Sequence, residues 1–389
     1  IYLFRRHGIT AKEPLRKPDA AFWPDQVLKD AVACLAVLVT ILFFIVRHHG
    51  AELGAPADPS EPYSAARPEW YFLFLYQFLK YFPGGTEIWG AILIPSILVG
   101  IIFLIPFLGN WKLGHRFNLG LLWCLLAGIG LLTYLAKTED KKNADYVAAV
   151  KEADRDAERV KSLARSSSGI PVTGAVTLLR KDSFTQGPKL FAKNCASCHR
   201  YQGHNGIGAP GKEAQSASDL KGVATRQWLA DLLDPEKISG PHYFGGTKFK
   251  DGKMAKFVKK EIASFSPEQK AQLQKVAMAI SAEANLKAQK SADQRDAAEI
   301  EEGRKLLTGE IMRCTECHQF RKKDEDASAP DLTDYGSREW LVGIIANPKH
   351  EKYYGKRNDR MPAFSDDKIL DLEAIGLLAE WLRGDWYEK

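Results

Sequence analysis

Apolar positions crowd the first third of the chain and thin out after it. Three runs stand apart: VLKDAVACLAVLVTILFFIV from Val27 to Val46, IWGAILIPSILVGIIFLIPFL from Ile88 to Leu108, and FNLGLLWCLLAGIGLLTYLA from Phe117 to Ala136. Each has about 20 residues, which at roughly 1.5 Å rise per residue crosses a hydrocarbon core of about 30 Å. Buried helices of a soluble core are usually shorter and rarely come three in a row, so the pattern predicts three membrane spans. Pro95 and Pro106 inside the second run kink it or end it. Lys137 to Arg165 is dense in Lys, Asp, Glu and Ala. It predicts a solvated helix whose charges need no partner, and SSSGIPVTG from Ser166 reads as a flexible joint. Beyond it, FSPEQKAQLQKVAMAISAE from Phe265 and FSDDKILDLEAIGLLAEWL from Phe364 carry helical periodicity and predict amphipathic helices.

Charge orients the spans. Arg5, Arg6, Lys12, Arg16 and Lys17 precede the first, and Lys112 and Arg116 lie between the second and third. The longer loop between the first and second holds only Arg47, Arg67 and Lys80. The positive-inside rule then places the N-terminus and the short loop in the cytoplasm, and everything after Ala136 outside. Trp23, Trp89 and Trp111 sit near span ends as interfacial anchors. IYLFRRHGIT lacks the apolar core and small-residue site of a cleavable signal peptide. The chain has 389 residues, 45% of them hydrophobic, enough for two or three domains. Its net charge of +6 is modest and lies partly beside cytoplasmic lipid, so nothing points to nucleic acid.

Of six cysteines, Cys34 and Cys124 lie in spans as small packing residues. The other four form CASCH at Cys195–His199 and CTECH at Cys314–His318. Two thiols one helical turn apart suit thioether bonds to the two vinyl groups of one haem, while the adjacent histidine reaches the iron. A single CxxCH could instead be a redox dithiol or half a zinc site. Here each copy leads the same downstream pattern. KLFAKNCASCH at Lys189 answers KLLTGEIMRCTECH at Lys305, and SDLKGVATRQWLADLLDPEK at Ser218 answers PDLTDYGSREWLVGIIANPK at Pro330. DGKMAKF at Asp251 answers NDRMPAF at Asn358, and the Phe265 and Phe364 helices close the two units. The repeat predicts two similar monohaem units.

This arrangement, from about Asp182 to Lys389, resembles class I cytochromes c. The resemblance implies small helical domains with covalent haem c, the iron held by the motif histidine and a downstream methionine, on the extracytoplasmic side. Cofactor-binding residues would be Cys195, Cys198, His199 and Met254 in the first unit, and Cys314, Cys317, His318 and Met361 in the second. Met361 stands in a Met-Pro context; Met254 is followed by Ala255, and His204 and His242 compete for its place. Met278 and Met312 read as packing residues. A thioether on iron raises its potential, which suits a late acceptor.

None of the nine histidines lies inside a predicted span, so no membrane-embedded haem is expected in this chain. The first 136 residues nevertheless resemble the C-terminal part of cytochrome b, equivalent to subunit IV of the photosynthetic cytochrome complex. LFRRHGI at Leu3–Ile9, FWPDQVLKD at Phe22–Asp30, PADP at Pro56–Pro59 and PEWYFLF at Pro68–Phe74 carry the likeness. It implies that the outer loop roofs a quinol-oxidation pocket where Glu69 takes a quinol proton, with Pro68, Trp70 and Tyr71 as the rest of the motif. A carboxylate buried at an apolar edge can accept a hydroxyl proton and pass it to outer water. Pro68 stiffens the turn, and the two aromatics supply interfacial surface. A helix that merely opens on an acid at its positive end would look similar. The family's haem-binding helices precede the region where this chain begins; they are expected in a separate subunit or an absent piece of the polypeptide.

Together these readings predict an all-α protein: three transmembrane helices followed by two tandem cytochrome c-like helical domains. The expected divisions are 1–136, a charged linker at 137–181, and haem domains at 182–290 and 291–389. The resemblances imply a subunit, incomplete alone, of a bc-type quinol:cytochrome c oxidoreductase in a bacterial inner membrane. Partners would be a haem b-binding N-terminal cytochrome b subunit, a Rieske protein with its [2Fe-2S] cluster, and a soluble cytochrome c or other extracytoplasmic acceptor, within a dimeric complex. The alternative is a membrane-anchored dihaem electron-transfer module without quinol chemistry. A dihaem peroxidase would need an open iron site, which two methionine ligands disfavour.

Overall fold

The computed structural model describes residues 21–48, 54–60, 65–109, 111–324, 326–358 and 360–386. The stretch Leu3–Ile9 and the basic residues Arg5, Arg6, Lys12, Arg16 and Lys17 lie outside them. Up to Gly54 the chain forms one unit, whose described residues hold a short turn at Phe22–Gln26 and helix α1 (Val27–His48). Leu28, Val32, Phe43 and Val46 are each at least 60% exposed, as a helix solvated by lipid requires.

The second unit runs from Ala55 to the end. It opens with α2 (Leu73–Leu79), entered through a tight turn at Trp70–Phe72, then α3 (Ile94–Leu108) and α4 (Lys112–Lys142). Among the described residues, three helices are long and apolar enough to cross a membrane: Phe22–Arg47, Trp89–Leu108 and Lys112–Lys142. The third continues past Ala136, where the apolar run ends, into a charged turn whose Lys and Glu residues are good helix formers. It stops at Asn143, whose side chain accepts the Tyr146 N–H at 3.0 Å and caps α5 (Ala144–Ala164).

The charges of this segment have partners, contrary to the sequence expectation. Asp140 pairs with Arg67, Glu139 with Lys80, Arg159 with Asp182, and Glu152 with Lys189. The reason is packing. Ala157 and Val160 of α5 are buried, and α5 contacts α6 (Ala175–Arg180), which brings its polar flanks against neighbouring elements.

The remaining helices are α7 (Ser183–Asn194), α8 (Arg226–Leu232), α9 (Lys253–Lys260), α10 (Pro267–Glu283), α11 (Lys290–Arg295), α12 (Ala297–Leu307), α13 (Arg338–Ala346) and α14 (Leu372–Arg383). No strand occurs among the described residues, and the protein is all-α, with three candidate membrane-spanning helices followed by helical units. The second closing helix starts later than the repeat implies. Asp371, not Ser365, caps it by accepting the Ala374 N–H at 2.7 Å, whereas Ser266 and Gln269 form a reciprocal capping box on α10.

Packing crosses the repeat. The closing helix α10 of the first repeat lies on α12, the leading helix of the second; α14, which closes the second, lies on α7, which leads the first. Each closing helix also touches its own repeat, α10 on α8 and α14 on α13. One core results, joining Phe191, Val276 and Ile280 to Leu307, Ile375, Leu378 and Trp381. The Trp381 ring stacks on Tyr201 at 4.2 Å and meets Phe191 at 5.5 Å. The division expected at 290/291 falls at the first residue of α11, and the core runs through both sides of it.

Two glycines permit the close approach. A Cβ on Gly187 would stand 2.2 Å from Trp381 Cβ, and one on Gly303 2.1 Å from the Lys275 carbonyl oxygen. The second neighbour is backbone and cannot turn aside, so Gly303→Val should destabilise the protein by about 1–3 kcal/mol. Thermal melting of the full chain checks this, and an unchanged midpoint would contradict the contact.

Candidate functional site

Both CxxCH motifs follow a leading helix and fold the same way. Cys195 ends α7, with its N–H on Phe191 O at 2.8 Å, and the His199 N–H returns to Cys195 O at 2.8 Å. In the second unit Arg313 adopts a left-handed turn (φ 55°), and the His318 N–H returns to Cys314 O at 3.0 Å. This turn sets two half-buried thiols and one imidazole on a single lip.

The hydrogen bonds beyond the motifs repeat almost one for one. Ser216 and Ala217 N–H groups bond Cys198 O, both at 3.1 Å; Ser328 and Ala329 bond Cys317 O, both at 2.9 Å. Leu220 N–H meets Arg200 O, and Leu332 N–H meets Gln319 O. The N–H groups of Asp219 and Asp331 bond the carbonyls of His242 and Lys352. Thr225 and Ser337 cap α8 and α13 through the Trp228 and Trp340 N–H groups. Those two indoles face Tyr243 and Tyr353 edge-on at 5.4 and 5.2 Å.

This framework fixes the imidazoles. His199 Nδ1 lies 2.8 Å from Ser218 O, and His318 Nδ1 lies 2.7 Å from Pro330 O. A carbonyl only accepts, so Nδ1 carries the proton and the Nε2 lone pair is left for a metal. Burial, the largest influence, pulls both imidazoles below their ordinary range and favours the neutral form that ligates. His204 is arranged oppositely: its Nδ1 accepts the N–H groups of Gly206 at 3.0 Å and Gly208 at 3.3 Å, which puts its proton on Nε2. His242 Nδ1 faces Asp219 at 3.7 Å, and its backbone occupies the place of Lys352 in the repeat.

Burial also pushes the Cys195 thiol up to about 12 and Cys314 to about 11. A redox dithiol works as a thiolate, so these sites do not suit one. No group of three His, Cys, Asp or Glu side chains is placed to hold a metal ion among the described residues. The donor set therefore fits covalent haem: two thiols and one pre-oriented imidazole in each motif.

The methionines differ in setting. Met254 is the second residue of α9 and packs against the core, while Met361 lies outside any helix and also packs against the core, its carbonyl taking a 2.9 Å bond from Asn358 Nδ2. Met312 is buried and Met278 lies within α10, both as packing residues.

In the outer loop, Glu69 begins the turn that leads into α2, its carbonyl accepting the Phe72 N–H at 2.8 Å. Trp70 and Tyr71 stand edge to face at 5.5 Å and are 70% and 50% exposed. The Glu69 side chain is exposed as well, so the burial expected around it is not supplied by the described residues of this chain. Arg67, two residues before, bonds both carboxylate oxygens of Asp140 at 2.9–3.1 Å and lies over the Tyr146 ring at 4.0 Å. Gln77 of α2 reaches Glu139 at 2.8 Å, and Asp58 of the PADP stretch pairs with Arg180 of α6. That guanidinium holds the Asp58 carboxyl far below the usual carboxylate range. The Arg67–Asp140 pair has no sequence signal beyond the proximity of Arg67 to Pro68.

Residues 56–153 match the family described as cytochrome b(C-terminal)/b6/petD, and residues 184–275 match cytochrome c. A menaquinol:cytochrome c reductase cytochrome c subunit of Bacillus subtilis (strain 168) is 33% identical over 145 residues, 35% of this chain and 56% of that protein. The same-named subunit of Geobacillus thermodenitrificans is 31% identical over 187 residues, 46% and 64% of the two chains. Cytochrome b of Rhodobacter capsulatus is 34% identical over 98 residues, 24% and 22%. The chain thus spans between about half and two thirds of the first two relatives' length. No solved structure matches.

Proposed function

We propose, from the premise that a cytochrome b C-terminal segment and a cytochrome c segment are joined in this one chain, that it is a subunit of a bc-type quinol:cytochrome c oxidoreductase. The observation that carries the reading is the juxtaposition of the two halves. The loop bearing Pro68, Glu69, Trp70 and Tyr71 is bonded through Arg67 to the helix that leads into the CxxCH units. Glu69 serves as proton acceptor for quinol, its carboxylate free to turn from an apolar face toward water. Pro68 and the Trp70–Tyr71 pair shape the turn, and Arg67 holds it to α4.

Two c haems would be held by Cys195, Cys198, His199 and Met254 in the first unit and by Cys314, Cys317, His318 and Met361 in the second, the two histidines offering Nε2 as metal donor. Haem supplies one-electron redox chemistry, which suits delivery to a soluble cytochrome c or other extracytoplasmic acceptor. The reading includes a haem b-binding cytochrome b subunit and a Rieske protein as partners in a dimeric assembly. It sets the complex in a bacterial inner membrane, with the haem units outside.

Glu69→Gln in the assembled complex should lower quinol oxidation by about 100-fold or more, while reduction of the c haems by a small chemical reductant is unchanged. Wild-type quinol turnover in this variant would leave only an anchored electron carrier.

A further inference from the structure

The first motif is followed by a buried cation that the second lacks. Arg200, directly after His199, is 6% exposed, whereas its counterpart Gln319 is neutral. The guanidinium donates to the carbonyls of Ala196 at 2.6 Å and His199 at 2.8 Å, and to Glu213 O. No carboxylate stands within ion-pair distance of it among the described residues. Asp219, 3% exposed, bridges to Arg200 through the backbone, and its carboxylate oxygens are taken by the N–H groups of Gln202, Gly203 and Lys221. Asp331 repeats Asp219 in the second unit, and no ion pair to it is formed among the described residues. The site for the guanidinium is built: a Cβ on Gly211 would lie 2.2 Å from Arg200 Cζ.

Burying a cation among carbonyls costs stability unless something offsets it, and three neutral acceptors offset only part. We infer that Arg200 is a positioning charge that raises the reduction potential of the haem held by His199, making it the better electron acceptor of the two. When the iron takes one electron its charge falls by one. A fixed positive charge in a low-dielectric pocket disfavours the oxidised form and favours the reduced one. The second unit, with Asp331 and Gln319, lacks that bias. Electrons entering the pair would therefore settle on the first haem. This rests on the reading that CASCH tethers a haem.

The test is a redox titration of the full-length protein followed by visible absorbance. Pyridine haemochrome analysis first counts the haems. Arg200→Gln should lower the reduction equilibrium constant of one haem by about tenfold, a shift of about 59 mV for one electron, and leave the other in place. Arg200→Lys should stay near wild type because the charge remains. Gly211→Ala, which pushes the guanidinium aside without removing it, should move the same midpoint downward by less, and it carries the test if Arg200→Gln loses haem. Two haems with unchanged midpoints in Gly211→Ala and in any loaded Arg200→Gln would overturn the inference. A haem count lacking the first haem in wild type would instead sink the reading beneath it.

Discussion

Ending the chain after residue 290 is expected to remove the first haem as well as the second. The first CxxCH is carried by α7, and the partner of α7 is α14, at the far end of the polypeptide. Truncation strips Trp381 from Tyr201 and Phe191, and at the same time uncovers the face of α10 that lies on α12. Loss of a single buried tryptophan costs about 3–5 kcal/mol, and a domain's whole stability is about 5–15 kcal/mol. Removing two helix interfaces therefore exceeds what the fragment can spare. Mass spectrometry and pyridine haemochrome of the truncated protein should show no stable haem at Cys195 and Cys198. The full-length Cys314→Ser/Cys317→Ser variant, which keeps α12 and α14, should retain one. A fragment that holds haem and melts cooperatively would refute the exchanged packing.

The second large effect is expected at Arg67 and Asp140. Their side chains are only 17% and 13% exposed, and the guanidinium is also covered by Tyr146. Replacing Asp140 with Ala leaves a half-buried cation without its carboxylate, at a cost of about 2–4 kcal/mol to the docking of the loop. The pair closes the turn two residues before Glu69, so Asp140→Ala should reduce quinol turnover by about tenfold or more. Reduction of the c haems by a chemical donor should not change. The double variant Arg67→Ala/Asp140→Ala should be less impaired than the sum of the singles, because neither charge is then stranded. Strict additivity would show that the two side chains act separately.

Much of this architecture is legible in the sequence because its signals are coarse. A bilayer demands unbroken apolarity, so the three spans declare themselves by length alone. The repeat is legible because each unit needs the same parts in the same order: two thiols, a histidine, an Asp–Leu pair, a capped helix with its tryptophan. The exchange of helices is not legible. The apolar stripes of α10 and α14 are similar, and nothing in their periodicity says which leading helix each will meet; Gly187 opposite Trp381 and Gly303 opposite Lys275 specify the pairs only in three dimensions. Arg67 and Asp140 lie 73 positions apart, each among other charges that look equally solvated. Arg200 hides for a different reason: an arginine beside a surface motif reads as exposed, and its burial depends on a glycine eleven positions on.

The exchange has a bearing on how such a protein is made. A polypeptide emerges with its amino end first. Ser183–Asn194 then completes its packing when the last helix has been synthesised, because that helix is its largest helical partner. The surroundings of the first CxxCH are thereby tied to completion of the whole polypeptide, and a prematurely terminated product would be left with neither motif in a finished core.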